Sequence, residues 1–307
     1  MTGDFEQQRV KLSTGVELDV VDIGPRDAPV LVFLHGFPES HRTWRYQLPH
    51  FAKRFRCIAP DQRGYRGSSK PQDVQSYTPD KLIADIFALA DALGVDRFTI
   101  VGHDWGGAIA WGVALGGQPG GLHPAWAGRV TRAVIANAPH PGIFGRLLAT
   151  DPAQRAASQY IRTFRDPASD AIIEAHGIAG ILAHAFEGQV PSGGLQPADE
   201  IGRLLKDWED RDACRAMINW YRGSPILVPA MDEPYAEPPA VPFPKLNIPT
   251  LVIWALDDVA LPPCNLDGIE DLVPDVTIVE VSDCGHFVPW DAPDAVNLAM
   301  DEFLAQN

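Results

Sequence analysis

The chain alternates short runs of consecutive apolar, often β-branched residues with longer segments in which apolar residues return every three or four positions. "PVLVFLHG" (29–36), "FRCIAPD" (55–61) and "RFTIVGHD" (97–104) are of the first kind and read as strands buried on both faces. "GVELDVVDIG" (15–24) predicts an earlier strand, and "RVTRAVIANAPH" (129–140), "TLVIWALDD" (250–258) and "VTIVEVSDCGH" (276–286) predict later ones. Between them, "PDKLIADIFALADALGV" (79–95) has helical spacing, with Asp80 placed to cap its start. "WGGAIAWGVAL" (105–115) predicts a small-residue helix that can lie close against strands, and a final helix is predicted from Pro293 to Ala305. Strand and helix in alternation describe an α/β fold, a mostly parallel central sheet flanked by helices.

The alternation stops near Gly142, and helical spacing prevails until the proline-rich "EPYAEPPAVPFPKLNIP" (233–249). The expected organisation is a discontinuous core, residues 1–141 and 246–307, interrupted by a helical cap, residues 142–245. "GGQPGGLHPAWAG" (116–128) reads as an irregular surface loop.

Composition narrows the partners. The 307 residues, 46% hydrophobic and 21% charged, suit a globular chain, and a net charge of −15 opposes binding to nucleic acid or an anionic membrane. The start "MTGDFEQQRVKLSTG" has no basic stretch followed by an apolar run, and no stretch of about 18 apolar residues suggests a span, so a soluble cytoplasmic protein is expected. Cys57, Cys214, Cys264 and Cys284 lie far apart and read as reduced thiols. No cluster has metal-ligand spacing, so no metal or other cofactor is expected. Oligomeric state is left open, a homo-oligomer included.

The candidate chemistry begins in "VGHDWGG" (101–107), where Gly102 and Gly106 frame Asp104 at a predicted strand-to-helix turn. This is the G-x-S-x-G elbow with a carboxylate in place of the serine. Asp258 ends a later strand and His286 follows the last one, which gives the order nucleophile, acid, base. With an ordinary pKa of about 3.9, an aspartate is ionised at neutral pH and needs no base to attack an electrophilic sp³ carbon. His286, oriented by Asp258, is then free to activate water against the resulting ester. The oxyanion of that second step needs N–H donors, for which the candidates are the amides of Trp105 and of Phe37 in "HGFP" (35–38). Pro38 is expected to fix that turn and His35 to order it. His103 is expected to support the elbow, and His140 to line or support the pocket.

Together "HGFPES" (35–40), "DQRGYRGSS" (61–69), "GHDWGG" (102–107), "NWYR" (219–222) and "DCGHF" (283–287) resemble the soluble epoxide hydrolases of the α/β-hydrolase fold, over nearly the whole chain. The resemblance implies a small-molecule epoxide and water as reactants, a vicinal diol as product, and two cap tyrosines that protonate the ring oxygen. Tyr221 in "INWYRGS" and Tyr160 in "SQYIRTFRDP" match those tyrosines, whereas Tyr65 and Tyr235 read as structural or pocket-lining. Haloalkane dehalogenases share the aspartate elbow, but their pattern implies an asparagine where this chain has Phe37. Fluoroacetate dehalogenases imply arginines around the elbow, where it has Trp105 and Ala108. A noncatalytic binding protein on this fold would have no use for the ordered nucleophile, acid and base. Arg66 stands where similar sequences usually carry glycine, a departure from the family pattern.

Overall fold

A strand in a sheet covered on both faces buries consecutive apolar residues, and that is where the predicted strands lie. The structure, a computed structural model, describes residues 5–185, 198–236 and 243–306. Strands β1 (Gln8–Lys11), β2 (Glu17–Ile23), β3 (Val30–Leu34), β4 (Arg56–Pro60), β5 (Phe98–His103), β6 (Val130–Ala136), β7 (Thr250–Ala255) and β8 (Val276–Val281) form one sheet in the order β1-β2-β4-β3-β5-β6-β7-β8. β1 and β4 pair antiparallel to β2, and every pairing from β4 to β8 is parallel. Side chains alternate between two cores. Leu31 and Phe33 of β3 join Leu48, Phe51, Val296 and Met300 on one face, while Val32 and Leu34 join Ile86 and Ile109 on the other.

The first core is closed by α1 (Gln47–Phe51), the second by α2 (Pro79–Ala92) and α3 (Trp105–Gly117). Asp80 is not the cap of α2. Thr78 holds that position without a side-chain bond, and Asp80 lies in the first turn, where its charge favours the positive end of the helix dipole. β1 was not anticipated, because a four-residue edge strand leaves too short a pattern to read. α3 also continues into the expected loop, whose Trp126 stacks on Phe87 with ring centroids 4.3 Å apart.

Helices α4 (Pro141–Thr150), α5 (Pro152–Ala157), α6 (Gln159–Arg165), α7 (Ser169–Ala185), α8 (Ala198–Asp207) and α9 (Arg211–Gly223) occupy the span between β6 and β7. That span contains no strand among the described residues. Residues 186–197 and 237–242 of the expected cap lie outside the described residues. After β7 come α10 (Ile269–Leu272), α11 (Val288–Asp291) and α12 (Pro293–Ala305), the last with the predicted bounds. Among the described residues no helix is long and apolar enough to cross a membrane, and none of the four cysteines is in a disulfide.

Candidate active site

The elbow is built from glycines because neighbouring backbone leaves no room for a Cβ. A Cβ at Gly102 would meet the Gly106 carbonyl, one at Gly106 the carbonyls of Leu34 and His35, and one at Gly36 the Asp104 side chain itself. Between β5 and α3 the chain turns through Asp104 at φ 52°, ψ −124°, a conformation a non-glycine residue holds only when its surroundings impose it. The turn lifts the carboxylate off the end of the sheet.

Asp104 Oδ1 accepts the Phe37 amide at 2.6 Å, and Oδ2 faces His286 Nε2 at 3.4 Å. Burial alone would raise this carboxyl's pKa, but His286, His103 and the Trp105 amide hold it below the ordinary carboxylate value. His286 Nδ1 lies 2.7 Å from Asp258 Oδ2. Burial would lower the imidazole's pKa, yet Asp258 on one side and Asp104 on the other raise it well above the usual histidine value.

Asp258 is itself fixed at four points. Its Oδ1 accepts the amides of Ala260 and Leu261, both at 2.9 Å, and its Oδ2 accepts Asn137 Nδ2 at 2.8 Å besides the His286 ring. Asn137 follows β6 with a left-handed φ of 38°, and its Oδ1 accepts the Ala255 amide at 2.8 Å, which ties the ends of β6 and β7 together. Sequence reasoning passed over Asn137; its only local signal was a polar residue at a strand end that tolerates this conformation.

Tyr160 of α6 and Tyr221 of α9 face Asp104, their ring centroids 6.0 Å apart. Tyr221 stands edge-on to Trp105 and Phe37, at 5.0 and 5.2 Å. Burial raises both phenols above their ordinary pKa, helped at Tyr160 by the Asp104 charge and at Tyr221 by Tyr160 and then Asp104, so both carry their protons at neutral pH. Asp104, Tyr160 and Tyr221 form the shared wall of two cavities. The larger, about 700 Å³, is lined by Trp105, Phe144, Leu148, Ile161, Ile226 and Phe243 among others. The smaller, about 400 Å³, is lined by Phe37, Pro38, Leu204, Trp208, His286 and Phe287 among others. Glu39, which the sequence reading did not single out, also lines it. Its Oε2 accepts the Thr43 hydroxyl at 2.6 Å, and burial pushes its pKa up to about 8.

The remaining predicted residues support or surround this set. His35 is fully buried and burial lowers its pKa to about 4, so the neutral ring donates from Nδ1 to the Gly36 carbonyl at 2.9 Å and accepts the Gln62 amide on Nε2 at 3.0 Å. The Phe37–Pro38 peptide is cis. His103 lies beneath His286, with Nε2 2.8 Å from its carbonyl oxygen and a pKa lowered to about 4, chiefly by burial. His140 does not reach either cavity: its Nδ1 accepts the Gly142 amide at 3.2 Å and caps α4, with its ring against Trp111 and Phe243. Tyr65 packs against His35 and Trp220, and Tyr235 lies beneath Arg155; neither lines either of these two cavities. Arg66 has φ 44°, the left-handed region in which glycine is at ease, and its guanidinium reaches Asp61 Oδ2 at 3.2 Å and Asp207 Oδ1 at 3.3 Å. Among the described residues no group of three or more His, Cys, Asp or Glu is arranged to hold a metal ion.

Comparison with known proteins agrees with this architecture. The α/β hydrolase fold pattern matches residues 29–168. The AB hydrolase superfamily protein YfhM of Bacillus subtilis is 30% identical over 95% of this chain and 96% of its own length. Epoxide hydrolase 3 of Mus musculus is 30% identical over 95% of this chain and 75% of its own length. Among solved structures, one of a group of novel epoxide hydrolases from metagenomes of hot environments superposes with a TM-score of 0.93 at 63% identity, covering 99% of this chain and 100% of its own. Bacillus megaterium epoxide hydrolase in complex with an inhibitor superposes with a TM-score of 0.82 at 31% identity, covering 97% of this chain and 100% of its own. The chain belongs to the α/β-hydrolase superfamily and, within it, to the epoxide hydrolase family.

Proposed function

We propose that this chain converts an epoxide and water to a vicinal diol through an alkyl ester on Asp104. The observation that carries the reading is the shared wall of the two cavities, where an ionised Asp104 faces the protonated Tyr160 and Tyr221. With Oδ1 engaged by the Phe37 amide, Oδ2 attacks a ring carbon. The ring C–O bond breaks as one of the two phenols protonates the departing oxygen, which would otherwise leave as a poorly stabilised alkoxide. A departing halide would need no such proton, and the tyrosine pair therefore favours an epoxide over a haloalkane.

Ester formation removes the Asp104 charge, one of the two anions that hold the proton on His286. The imidazolium returns its proton to the tyrosinate and becomes a base. It then deprotonates water attacking Cγ of the ester, the oxyanion on Oδ1 is held by the amides of Phe37 and Trp105, and the acyl–oxygen bond breaks. The diol alkoxide takes the proton from His286; the Asp104 acid ionises and recharges it. Water's oxygen stays on Asp104, and the former Oδ2 leaves in the diol.

Two largely apolar cavities on either side of the nucleophile support an epoxide with apolar substituents. In this reading the core of residues 1–141 and 246–307 supplies Asp104, Asp258 and His286, and the cap of residues 142–245 supplies both tyrosines. A single chain carries the whole set, and its four unpaired cysteines support a reducing, cytoplasmic setting. The test is His286→Gln incubated with terminal and internal epoxides and weighed intact by mass spectrometry. An adduct of the substrate's mass is expected; no adduct across the panel, or halide release from haloalkanes in place of diol formation, overturns the reading.

A further inference from the structure

We infer that Trp208 is a positioning residue for the Phe37 amide, set in place by an ionic latch that runs through Asp207 to Arg42 and Arg66. The inference rests on the reading of Phe37 as an oxyanion donor. Trp208 follows α8, and its Nε1 donates to the Pro38 carbonyl at 2.9 Å, a contact between residues 170 apart in sequence. Pro38 adjoins Phe37, whose amide reaches Asp104 Oδ1 at 2.6 Å. A cap residue therefore grips the turn carrying the donor, with only the Phe37–Pro38 peptide between the two groups.

The preceding residue explains what holds Trp208 still. Asp207 Oδ2 accepts Arg42 Nη2 at 2.5 Å, and its Oδ1 accepts Arg66 Nε at 3.3 Å. Arg42 Nε also pairs with Glu200 Oε2 at 3.3 Å, so the core holds α8 at two places two helical turns apart. Arg42 and Glu200 have side-chain exposures of 10% and 6%, which shields the pair from the screening that weakens surface ion pairs. Arg66 stays bound to Asp61 while it reaches Asp207. The latch also accounts for an arginine at φ 44°: glycine would relieve the backbone but remove the guanidinium that reaches the cap.

The oxyanion develops on Oδ1 during ester hydrolysis, so displacement of the Phe37 amide slows breakdown of the ester more than its formation. Trp208→Phe keeps an aromatic ring against the smaller cavity and deletes the N–H. Rapid quench and intact mass spectrometry in single turnovers, with one small and one bulky epoxide, follow both steps. The expected result is ester decay slowed about fivefold with both epoxides and ester formation within about twofold of wild type. Asp207→Asn is expected to shift the same partition, and Asp207→Glu, which keeps the charge, to decay faster than Asp207→Asn; the pair also carries the test if Trp208→Phe fails to fold. Unchanged decay, formation and decay falling together, or a loss that follows substrate size with a raised KM would each overturn the inference. An absence of ester in the wild-type protein would instead overturn the reading of Asp104.

Discussion

Asp258→Asn separates the two halves of the proposed reaction. The native carboxylate accepts the Ala260 and Leu261 amides on Oδ1 and Asn137 and His286 on Oδ2. An amide has a single acceptor oxygen. If that oxygen keeps the two backbone donors, the new NH₂ confronts Asn137 Nδ2 and the His286 Nδ1–H, donor against donor. The imidazolium formed during ester hydrolysis also loses its anion. At about 4 Å between charge centres and an effective dielectric of about 20, that interaction is worth about 4 kcal/mol, or roughly a thousandfold in rate. Ester formation uses a carboxylate that is already ionised, so it is expected to change by less than about tenfold. Rapid quench with intact mass spectrometry should show the ester filling the enzyme and decaying slowly, with kcat matching the decay. A kcat within about tenfold of wild type, or formation slowed as much as decay, would refute the assignment of Asp258 and His286 to the second step.

Tyr160→Phe and Tyr221→Phe should each slow ester formation about a hundredfold with little effect on decay, and single-turnover rates that leave formation unchanged would contradict their role as acids. For Glu39 the sign follows from a pKa of about 8 in the fold against about 4.3 in the unfolded chain. Its proton favours the folded state fully below about pH 4, and this contribution, on the order of 5 kcal/mol at most, is lost as pH rises through 8. Glu39→Gln does not titrate, so its Tm should rise relative to wild type between about pH 5 and pH 9; a constant difference would contradict the raised pKa. Gly106→Ala should lose about 3 kcal/mol or more in denaturant unfolding, because its Cβ has only the carbonyls of Leu34 and His35 to move against, and a wild-type midpoint would show that the elbow can relax.

Most of this architecture is legible where one local pattern carries it. β3, β5 and β7 are runs of apolar residues, and α12 announces its start with proline at its first position. Asp104, Asp258 and His286 are readable because each ends or follows a recognisable strand. What escapes reading depends on pairing or on backbone shape. Asp80 has the chemistry of a cap but lies inside the first turn, a displacement finer than periodicity resolves. The left-handed backbone of Asn137 and Arg66 shows only indirectly, through a polar residue at a strand end and an arginine where glycine is usual, and neither signal names the partners those side chains reach. Glu39 stands in a stretch whose resemblance was evident, yet its burial depends on packing around the smaller cavity. Trp208 has meaning only through Pro38, 170 residues away in sequence.

In the proposed reaction Asp104, and not water, makes the first bond to the epoxide carbon. A single turnover in oxygen-18-labelled water, with enzyme in excess over epoxide, tests it directly when both the diol and the peptide containing Asp104 are analysed. Unlabelled diol and one heavy oxygen on Asp104 are expected, since water attacks the ester carbonyl. Heavy oxygen in the diol of the first turnover, with Asp104 unlabelled, would contradict it.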